Sequence, residues 1–301
     1  MQSPTAEAAA RLRGRERLIG IALMCGAVFC FSGLDSTAKY LSRELPTQQI
    51  VWARYFASLA LTAIILNPVT QPGVLRTRRL GFQLARSGVL FGSTLLNFVA
   101  LRYLQLAETV SITFFTPLLV ALLGIALLGE RLGRARLAAI AVGFIGVLVV
   151  VRPGASTTQP AVLLSVASCF CYAAYSLMTR QLAGVDSAQT TLFYSGLAGV
   201  VLLTPVLPVF WKEPPSTLHW VLMASMGVYA TVGHFLMIKA HHFAPAGVLS
   251  PFMYTQLLWM VTLGWLIFGD VPDHWTVAGG LIVVASGLYL LSQERRPKAK
   301  T

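Results

Sequence analysis

The sequence predicts an all-α polytopic membrane protein with ten transmembrane helices, arranged as two inverted five-helix repeats with both termini in the cytoplasm. Three observations support this: the composition, an internal repeat and the distribution of basic residues. Hydrophobic residues make up 56% of the 301 positions and charged residues only 11%, whereas soluble domains carry roughly 25% charged residues. Apolar segments of about 20 residues, long enough to cross ~30 Å of hydrocarbon, recur along nearly the whole chain.

Each apolar segment is expected to be a helix, because lipid leaves backbone groups unpaired in anything but a helix or a closed barrel. The segments also lack the polar–apolar alternation of barrel strands. The predicted helices, numbered 1 to 10, are Leu18–Ala38, Thr47–Asn67, Gly81–Leu101, Ala107–Leu128, Arg134–Val151, Ala161–Thr179, Ala188–Phe210, Leu218–Ile238, Ala246–Phe268 and His274–Leu291. They divide the chain into a basic cytoplasmic tail (1–17), a first repeat (18–152), a linker (153–159), a second repeat (160–292) and a second basic tail (293–301).

The repeat has a period of about 140 residues. Ala100–Arg152 aligns without a gap with Ala240–Ser292. The matched pairs include Leu118 with Leu258, Leu123 with Leu263, Gly124 with Gly264, Gly129 with Gly269, and the acids Glu130 with Asp270. Because each copy has an odd number of spans, the second copy must be inverted in the bilayer. Inverted repeats are a common plan of secondary transporters, in which the substrate site lies between the halves near mid-membrane.

The basic residues fix the predicted orientation. With ten spans, most of the 23 Lys and Arg residues fall on the side of the two termini. The other side holds Lys39, Arg43, Arg102, Arg152 and Lys212. The positive-inside rule therefore favours cytoplasmic termini. It also accounts for the net charge of +12 without nucleic acid, so the expected partners are a small-molecule substrate and the lipid bilayer, with the protein a monomer or a homodimer.

Several classes of chemistry lack their residues. The sequence has no phosphate-binding loop with Gly-Lys-Ser/Thr, no metal-ligand cluster beyond the weak pair His241-His242, and no arrangement of a nucleophile with a base. We therefore expect no cofactor, no metal and no enzymatic activity.

Ionisable side chains inside spans usually face a cavity or a partner, because their burial in lipid is costly. Asp35, near the end of helix 1, has Lys39 one turn later on the same face. A local ion pair, a substrate contact or gate, and proton coupling are the alternatives for Asp35. Arg54, two turns into helix 2, is a candidate for binding an anion or a substrate carboxylate; the alternative is a structural pair with Asp35 or Glu108. Glu108 also suits the dipole at the start of helix 4.

Helices 3 and 8 carry further polar candidates at matching depth. Ser93, Thr94 and Asn97 lie within little more than one turn of helix 3, and His234 falls at about the same level in helix 8. We expect Ser93, Asn97 and His234 to line a cavity. The alternative for His234 is a hydrogen-bonded core residue, although histidine can also titrate near neutral pH.

Helices 4 and 9 contain Pro117 and Pro251, which remove a backbone donor and bend their helices. They are predicted hinges, the alternative being kinks needed only for packing. Aromatic, hydroxyl and amide side chains nearby fit a pocket for an amphipathic organic molecule, or else the interface belt or the core. These candidates are Thr113, Thr116, Tyr254 and Gln256, with Trp52 and Tyr172 as additions from helices 2 and 6.

The end of helix 4 and the start of helix 5 carry a recognisable pattern. Leu127-Leu-Gly-Glu-Arg-Leu132 is followed by Gly143-Phe-Ile-Gly146-Val and Arg152-Pro153. The second copy has Phe268-Gly-Asp270 and then Gly280-Leu-Ile-Val-Val-Ala-Ser-Gly287. This pattern resembles the EamA half-domain of the drug/metabolite transporter superfamily, and two such halves cover residues 18 to 292. In that reading the small residues of helices 5 and 10 form a packing scaffold or a homodimer contact.

Three further segments resemble a bacterial subgroup of that family: Asp35-Ser-Thr-Ala-Lys-Tyr-Leu41, Ile50-Val-Trp-Ala-Arg-Tyr55 and Pro251-Phe-Met-Tyr-Thr-Gln-Leu257. The subgroup includes transporters ascribed to riboflavin, S-adenosylmethionine and opine-type metallophores. The resemblance implies a bacterial inner-membrane secondary transporter that exports a small organic metabolite, either amino-acid-derived or an opine-type metallophore, by alternating access through a central cavity. The alternative is uptake of a vitamin or cofactor such as riboflavin or S-adenosylmethionine. A membrane-embedded structural subunit or a channel is a more remote reading.

Overall fold

The computed structural model describes residues 4–68, 70–128, 134–152, 159–182, 185–244, 249 and 252–294. Its regular elements are helical. The α-helices are α1 (Pro4–Leu41), α2 (Thr47–Leu66), α3 (Leu80–Leu101), α4 (Leu106–Thr113), α5 (Thr116–Leu128), α6 (Arg134–Val151), α7 (Gln159–Leu182), α8 (Ala188–Leu203), α9 (Leu207–Phe210), α10 (Thr217–Phe243), α11 (Gln256–Leu263) and α12 (His274–Glu294). A short 3₁₀ turn covers Pro72–Leu75, and a π-helical turn, Gly264–Phe268, continues α11.

Six helices in the described part of the chain are long and apolar enough to cross a membrane: Arg15–Leu41, Thr47–Leu66, Leu80–Leu101, Leu106–Gly124, Pro160–Leu182 and Thr217–Phe243. Four shorter apolar helices accompany them: Leu137–Val151, Gln189–Leu203, Gln256–Phe268 and His274–Tyr289. These helices fall in the ten predicted segments, in the predicted order. The all-helical, membrane-type fold is therefore confirmed.

Three predicted helix bounds were wrong. α1 begins at Pro4, inside the predicted tail, because proline suits the first helical turn and the alanines that follow favour helix. Predicted helix 7 ends at Leu203 and resumes only as α9, since Pro205 cannot donate a helical hydrogen bond. Predicted helix 4 is split into α4 and α5, with Phe114 and Phe115 between them.

The break in predicted helix 4 follows from Pro117, which has no backbone N–H to give to the carbonyl of Thr113. The backbone there forms hydrogen bonds between residues three apart, as in a 3₁₀ turn, instead of four apart. They run from Phe115 N to Ile112 O and from Leu118 N to Phe115 O, both at 3.0 Å. Predicted helix 9 has a matching turn at Tyr254 and Thr255, directly before α11. Pro251 lies outside the described residues, so its predicted role as a hinge stays a prediction.

The helix contacts have the pattern of two halves exchanged by a pseudo-twofold axis. α1 packs along α10, and the equivalent pair, α7 and α3, packs in the same way. α2 contacts α10 as α8 contacts α3, and α5 contacts α7 as α11 contacts α1. α6 packs against its own counterpart, α12, and α2 against α8. Such an exchange of partners requires a repeat in three dimensions, so the sequence repeat is a structural repeat.

The second repeat is inverted relative to the first. α1 ends where Lys39 contacts the carbonyl of Leu104 and the carboxylate of Asp270. We call this end of the bundle the Lys39 face. α7, the counterpart of α1, ends at the other side, where Asp186 contacts Thr77 and Gln83 before and within α3. We call this the Asp186 face. α3 joins the two faces over 22 residues, or about 33 Å at the rise of a helix.

Small residues seal the seam between α6 and α12. A Cβ added at Gly146 would lie 2.8 Å from Val283 Cγ2 and 3.0 Å from the carbonyl of Gly279. A Cβ added at Gly143 would clash with Leu118 and meet Ser286 Oγ at 2.7 Å. These contacts lie within one chain, so the predicted scaffold role is confirmed for Gly143 and Gly146 of α6. The other small residues of the prediction, Gly280 and Gly287 of α12, face Ser111 and Tyr254 instead.

Candidate functional site

Arg54 projects from α2 and is held in place by α3. Its Nη1 donates to Thr94 Oγ1 at 2.6 Å. The same oxygen lies 2.9 Å from the hydroxyl of Tyr55 and 3.1 Å from the carbonyl of Leu90. Since the single proton of Thr94 is given to Leu90, Thr94 accepts from both Arg54 and Tyr55. The guanidinium also lies 4.9 Å from the ring of Tyr55 and 5.7 Å from that of Phe98. Together with the Thr94 bond, these contacts fix the orientation of the Arg54 side chain.

The Arg54 guanidinium keeps an unsatisfied donor and has no ion-pair partner in the described part of the chain. Its Nε is buried and has no hydrogen-bond partner among the residues that the structure describes. No carboxylate in that same part of the chain lies within 4.0 Å of it. The predicted structural pair with Asp35 or Glu108 was therefore wrong as a direct ion pair. A partly buried cation with no carboxylate in direct contact is well suited to an anionic group of a ligand.

Three predicted site residues surround this charge. Asp35 of α1, Tyr172 of α7 and His234 of α10 all lie within electrostatic range of Arg54. Asp35 and His234 are partly accessible and Tyr172 is exposed. The ring of His234 packs edge-on against Phe31 at 5.1 Å. Four helices from both repeats therefore bring a cation, a carboxylate, an imidazole and a phenol together.

A second group of predicted residues lies on the pseudo-twofold axis. Phe114 and Tyr254 are equivalent by the period of 140, and their rings meet edge to face at 4.9 Å. Equivalent residues can touch only close to the axis that exchanges them. Thr116 and Gln256 are also equivalent and begin α5 and α11 directly after the two helix breaks.

The polar groups at these breaks are unevenly satisfied. Thr113 is exposed and donates to the carbonyl of Thr109 at 2.9 Å. Thr116 is buried, and within the described part of the chain its hydroxyl has no partner. Pro117 is exposed, whereas Asn97, on α3, and Gln256 are partly buried. Thr113, Thr116 and Gln256 lie near the axis and Asn97 lies on α3. Among the described residues, none of the four forms a hydrogen bond with Arg54.

Two other predicted site residues lie in helix seams. Ser93 is buried, and it exchanges hydrogen bonds of 2.8 to 3.1 Å with Ser168 across the α3–α7 contact. Trp52 donates to Thr204 Oγ1 at 2.9 Å and stacks on Phe56. It also meets Trp211 edge-on near the Lys39 face, as expected for an aromatic belt at a membrane interface.

The charges near the end of α1 pair differently from what the sequence suggested. Lys39 does not pair with Asp35; it donates to Asp270 Oδ2 at 2.7 Å and to Leu104 O at 2.8 Å. Glu108 completes a capping box at the start of α4 by accepting from the backbone N–H of Gln105 at 2.9 Å. The repeat of an acid after the matched glycines Gly129 and Gly269 was the signal that could have pointed to Asp270, but it does not reveal the partner.

Sequence reasoning also missed the surroundings of Arg86, a fully buried residue of α3. It donates to Gln83, Thr179, the carbonyl of Thr191 and Ser195. These acceptors are neutral groups of α3, α7 and α8, so Arg86 links the first repeat to the second. Because its three nitrogens all donate to protein groups, it has little capacity left for a ligand.

The network continues to Asp186, which accepts from Thr77 Oγ1 at 2.5 Å, from the backbone N–H of Arg78 at 3.0 Å and from Gln83 Nε2 at 2.9 Å. Burial opposes ionisation, but these hydrogen bonds hold the pKa of Asp186 below its ordinary value. The carboxylate is thus anchored between the repeats at this face. In the described residues no group of three His, Cys, Asp or Glu side chains could hold a metal ion.

A helical membrane protein of two inverted repeats, with charged groups of both signs enclosed between them, has the architecture of a secondary transporter. The sequence model of the EamA-like transporter family matches residues 18–152 and 159–293. The chain belongs to this family, and each repeat is one EamA half-domain.

Curated relatives span nearly the whole chain. A riboflavin transporter from Vibrio cholerae is 29% identical and covers 93% of this chain and 95% of its own length. A pseudopaline exporter from Pseudomonas aeruginosa is also 29% identical, over 90% and 95%. An S-adenosylmethionine uptake transporter from Rickettsia conorii is 25% identical, over 93% and 94%. These names share transport of a small molecule but differ in substrate and direction.

The fold has a match among solved structures. A crystal structure superposes with a TM-score of 0.63 at 18% identity and covers 92% of this chain and 99% of the other. At that identity the match concerns the fold alone.

Proposed function

We propose that this protein is a bacterial inner-membrane secondary transporter that exports a small organic metabolite by alternating access, with all ten apolar helices spanning the bilayer and both termini in the cytoplasm. The orientation is supported by the excess of Lys and Arg on the side of the termini. In this orientation the Asp186 face is cytoplasmic and the Lys39 face is periplasmic.

The observation that carries the proposal is the placement of Arg54 and Asp35. They lie within electrostatic range of each other but form no ion pair within 4.0 Å in the described part of the protein. A molecule with a carboxylate and a cationic group can satisfy both at once. This favours an amino-acid-derived compound or an opine-type metallophore as the cargo, with His234 and Tyr172 contacting the rest of the molecule.

Uptake of a vitamin or cofactor is the second candidate. The observation in its favour is the set of aromatic rings near Arg54, which include Tyr55, Phe98 and Tyr172, together with relatives named for riboflavin and S-adenosylmethionine. A flat ring system packs well between aromatic side chains. The two candidates therefore differ in direction and in the part of the site that binds the cargo.

The first test is a comparison of metabolites inside and outside cells that lack or overproduce the protein. A compound that accumulates outside on overproduction and inside on deletion supports export and identifies the cargo. Loss of an imported vitamin from the deletion strain, without any external change, overturns export and favours uptake.

Variants then test the site itself. We expect Arg54→Lys and Asp35→Asn each to lower transport of the identified compound at least about tenfold. Lysine keeps the charge but lacks the planar fork of donors, and asparagine lacks the charge, so each variant weakens a charge-assisted hydrogen bond worth roughly 1.5–3 kcal/mol. Arg102→Lys is the matched control, since Arg102 is an exposed arginine at the Lys39 face, and it should leave transport unchanged. Normal transport by both site variants would refute the assignment of the site.

A further inference from the structure

Two ion pairs join the repeats at the Lys39 face. Lys39 of the first repeat binds Asp270 of the second at 2.7 Å, and their side chains are only 14% and 25% exposed. Arg152 of the first repeat binds Asp273 of the second at 2.6 Å. A motion that draws α1 away from the start of α12 must separate the Lys39 pair, whereas the Arg152 pair lies at the end of the packed α6–α12 seam. The Lys39 pair is the more buried, so its loss has the larger effect on such an equilibrium.

The local backbone fixes the position of Asp270. The π-helical turn ends at Gly269, whose φ of +70° is a left-handed conformation suited to glycine. The backbone N–H of Asp270 then bonds to the carbonyl of Gly264 at 3.1 Å. The ring of Phe268, the last residue of the π-helical turn, lies 4.9 Å from Lys39 Nζ. The Lys39 ammonium therefore contacts the Asp270 carboxylate, the Phe268 ring and the Leu104 carbonyl.

A second carboxylate lies within reach of the same lysine. Asp35 precedes Lys39 by one turn of α1, and residues four apart on a helix are neighbours on its surface. In the described part of the chain Asp35 has neither a hydrogen bond nor an ion pair closer than 4.0 Å, and it is partly accessible. The lysine thus uses one of two available carboxylates in this conformation.

We propose that Lys39 exchanges partners during transport: it binds Asp270 when the Lys39 face is closed and Asp35 when that face is open. This rests on the alternating-access function proposed above. In the open state the exchange keeps the lysine charge neutralised, which lowers the cost of breaking the Asp270 pair. A cationic group of the cargo at Asp35 competes with Lys39 and returns it to Asp270, so cargo binding favours closure through its differential affinity for the two states.

The test measures opening of the Lys39 face without any ligand. Leu106 is fully buried at the start of α4, and its Cβ is 4.0 Å from where a Cβ at Gly264 would lie, across the boundary between the repeats. The reporter is Leu106→Cys in a background whose four native cysteines are replaced by alanine. The purified protein in lipid nanodiscs is labelled with a hydrophilic maleimide, and the labelling rate reports opening.

We expect Asp270→Asn to raise the labelling rate at least about fivefold, within the usual range of such coupling. Adding Asp35→Asn should bring the rate back to within about twofold of the unsubstituted reporter, because Lys39 then has no partner in the open state either. Asp270→Glu keeps the charge and should label slowly. If it labels as fast as Asp270→Asn, packing rather than charge closes the face, and the proposal is wrong.

The matched control is Asp273→Asn, which breaks the other pair at the same face. Its effect should add independently to that of Asp35→Asn. If the double variant labels as fast as Asp270→Asn alone, Asp35 does not bind Lys39 in the open state. The Lys39–Asp270 pair then only holds the face closed, and the exchange is refuted. Because labelling does not require transport, a protein that shows the coupling but moves no compound overturns only the proposed function.

Discussion

Thr94 offers a sharp test of how Arg54 is oriented. The Thr94 hydroxyl is buried, accepts from Arg54 at 2.6 Å and from Tyr55 at 2.9 Å, and gives its own proton to Leu90. Valine has nearly the same shape as threonine but no hydroxyl, so Thr94→Val removes these bonds without opening a cavity. The guanidinium then loses its fixed geometry, although its charge remains.

The magnitude follows from the bond that orients the charge. A hydrogen bond to a charged group contributes about 1.5–3 kcal/mol. Loss of about 2 kcal/mol corresponds to roughly 30-fold weaker apparent affinity for a cargo carboxylate. The assay is the initial rate of transport of the identified compound in membrane vesicles, as a function of its concentration. We expect KM to rise by that factor while the maximal rate changes less.

Thr94→Ser keeps the hydroxyl and serves as the control, with KM expected within about twofold of the unsubstituted protein. Both variants must elute as a single species in size-exclusion chromatography, so that a folding defect is not read as a binding defect. A well-folded Thr94→Val protein with unchanged KM would refute the view that Arg54 binds the cargo in its present orientation.

Three other substitutions test the fold around the site. Gly146→Leu should abolish folded protein in detergent, because its Cβ has no room in the α6–α12 seam, whereas Gly88→Leu should be tolerated since no atom lies within 4 Å of a Cβ there. Asp186→Asn should lower the thermal stability at neutral pH. The difference should begin to shrink as the pH falls to the ordinary aspartate pKa of 3.8 and vanish only below the lowered pKa of the folded protein, where the native carboxylate is protonated as well. Gly287→Ala forces a clash with the Tyr254 hydroxyl and should cost about 1–3 kcal/mol; adding Tyr254→Phe should restore most of the heat stability.

The fold could be predicted because its two main determinants, the length of the apolar segments and the internal repeat, are visible in the sequence. Apolar length predicts spans, and a repeat with an odd number of spans predicts inversion. The helix contacts, such as α1 with α10 and α7 with α3, follow from that symmetry. The break at α8 was missed because Pro205 was counted as part of a long apolar run. The π-helical turn after α11 has no sequence signal that distinguishes it from an ordinary helix end.

The site was predictable only in part. Asp35, Arg54 and His234 stand out because ionisable groups are rare in spans, and the structure brings them together. Ser93 and Trp52 have no such signal of direction. Ser93 belongs to a set of buried polar residues on α3, with Gln83, Arg86, Ser87 and Thr94, and polarity alone does not separate a helix seam from a cavity. The helix of Trp52 is apolar on nearly every side, so its inward face has no periodic signal. Which face points to the cavity is decided by packing against helices far away in the sequence.

The frame of the fold is symmetric, but the charges between its two halves are not. The pseudo-twofold axis passes close to Phe114 and Tyr254, where the chain breaks in both repeats and neither half is continuous helix. Arg54 has no basic counterpart in the second repeat, where the equivalent region of α8 holds Tyr194 and Ser195. The frame therefore repeats, whereas the charge of Arg54 is present once. In the mechanism proposed above, the symmetric frame alternates between two related arrangements, and the cargo stays bound to the same cation in both.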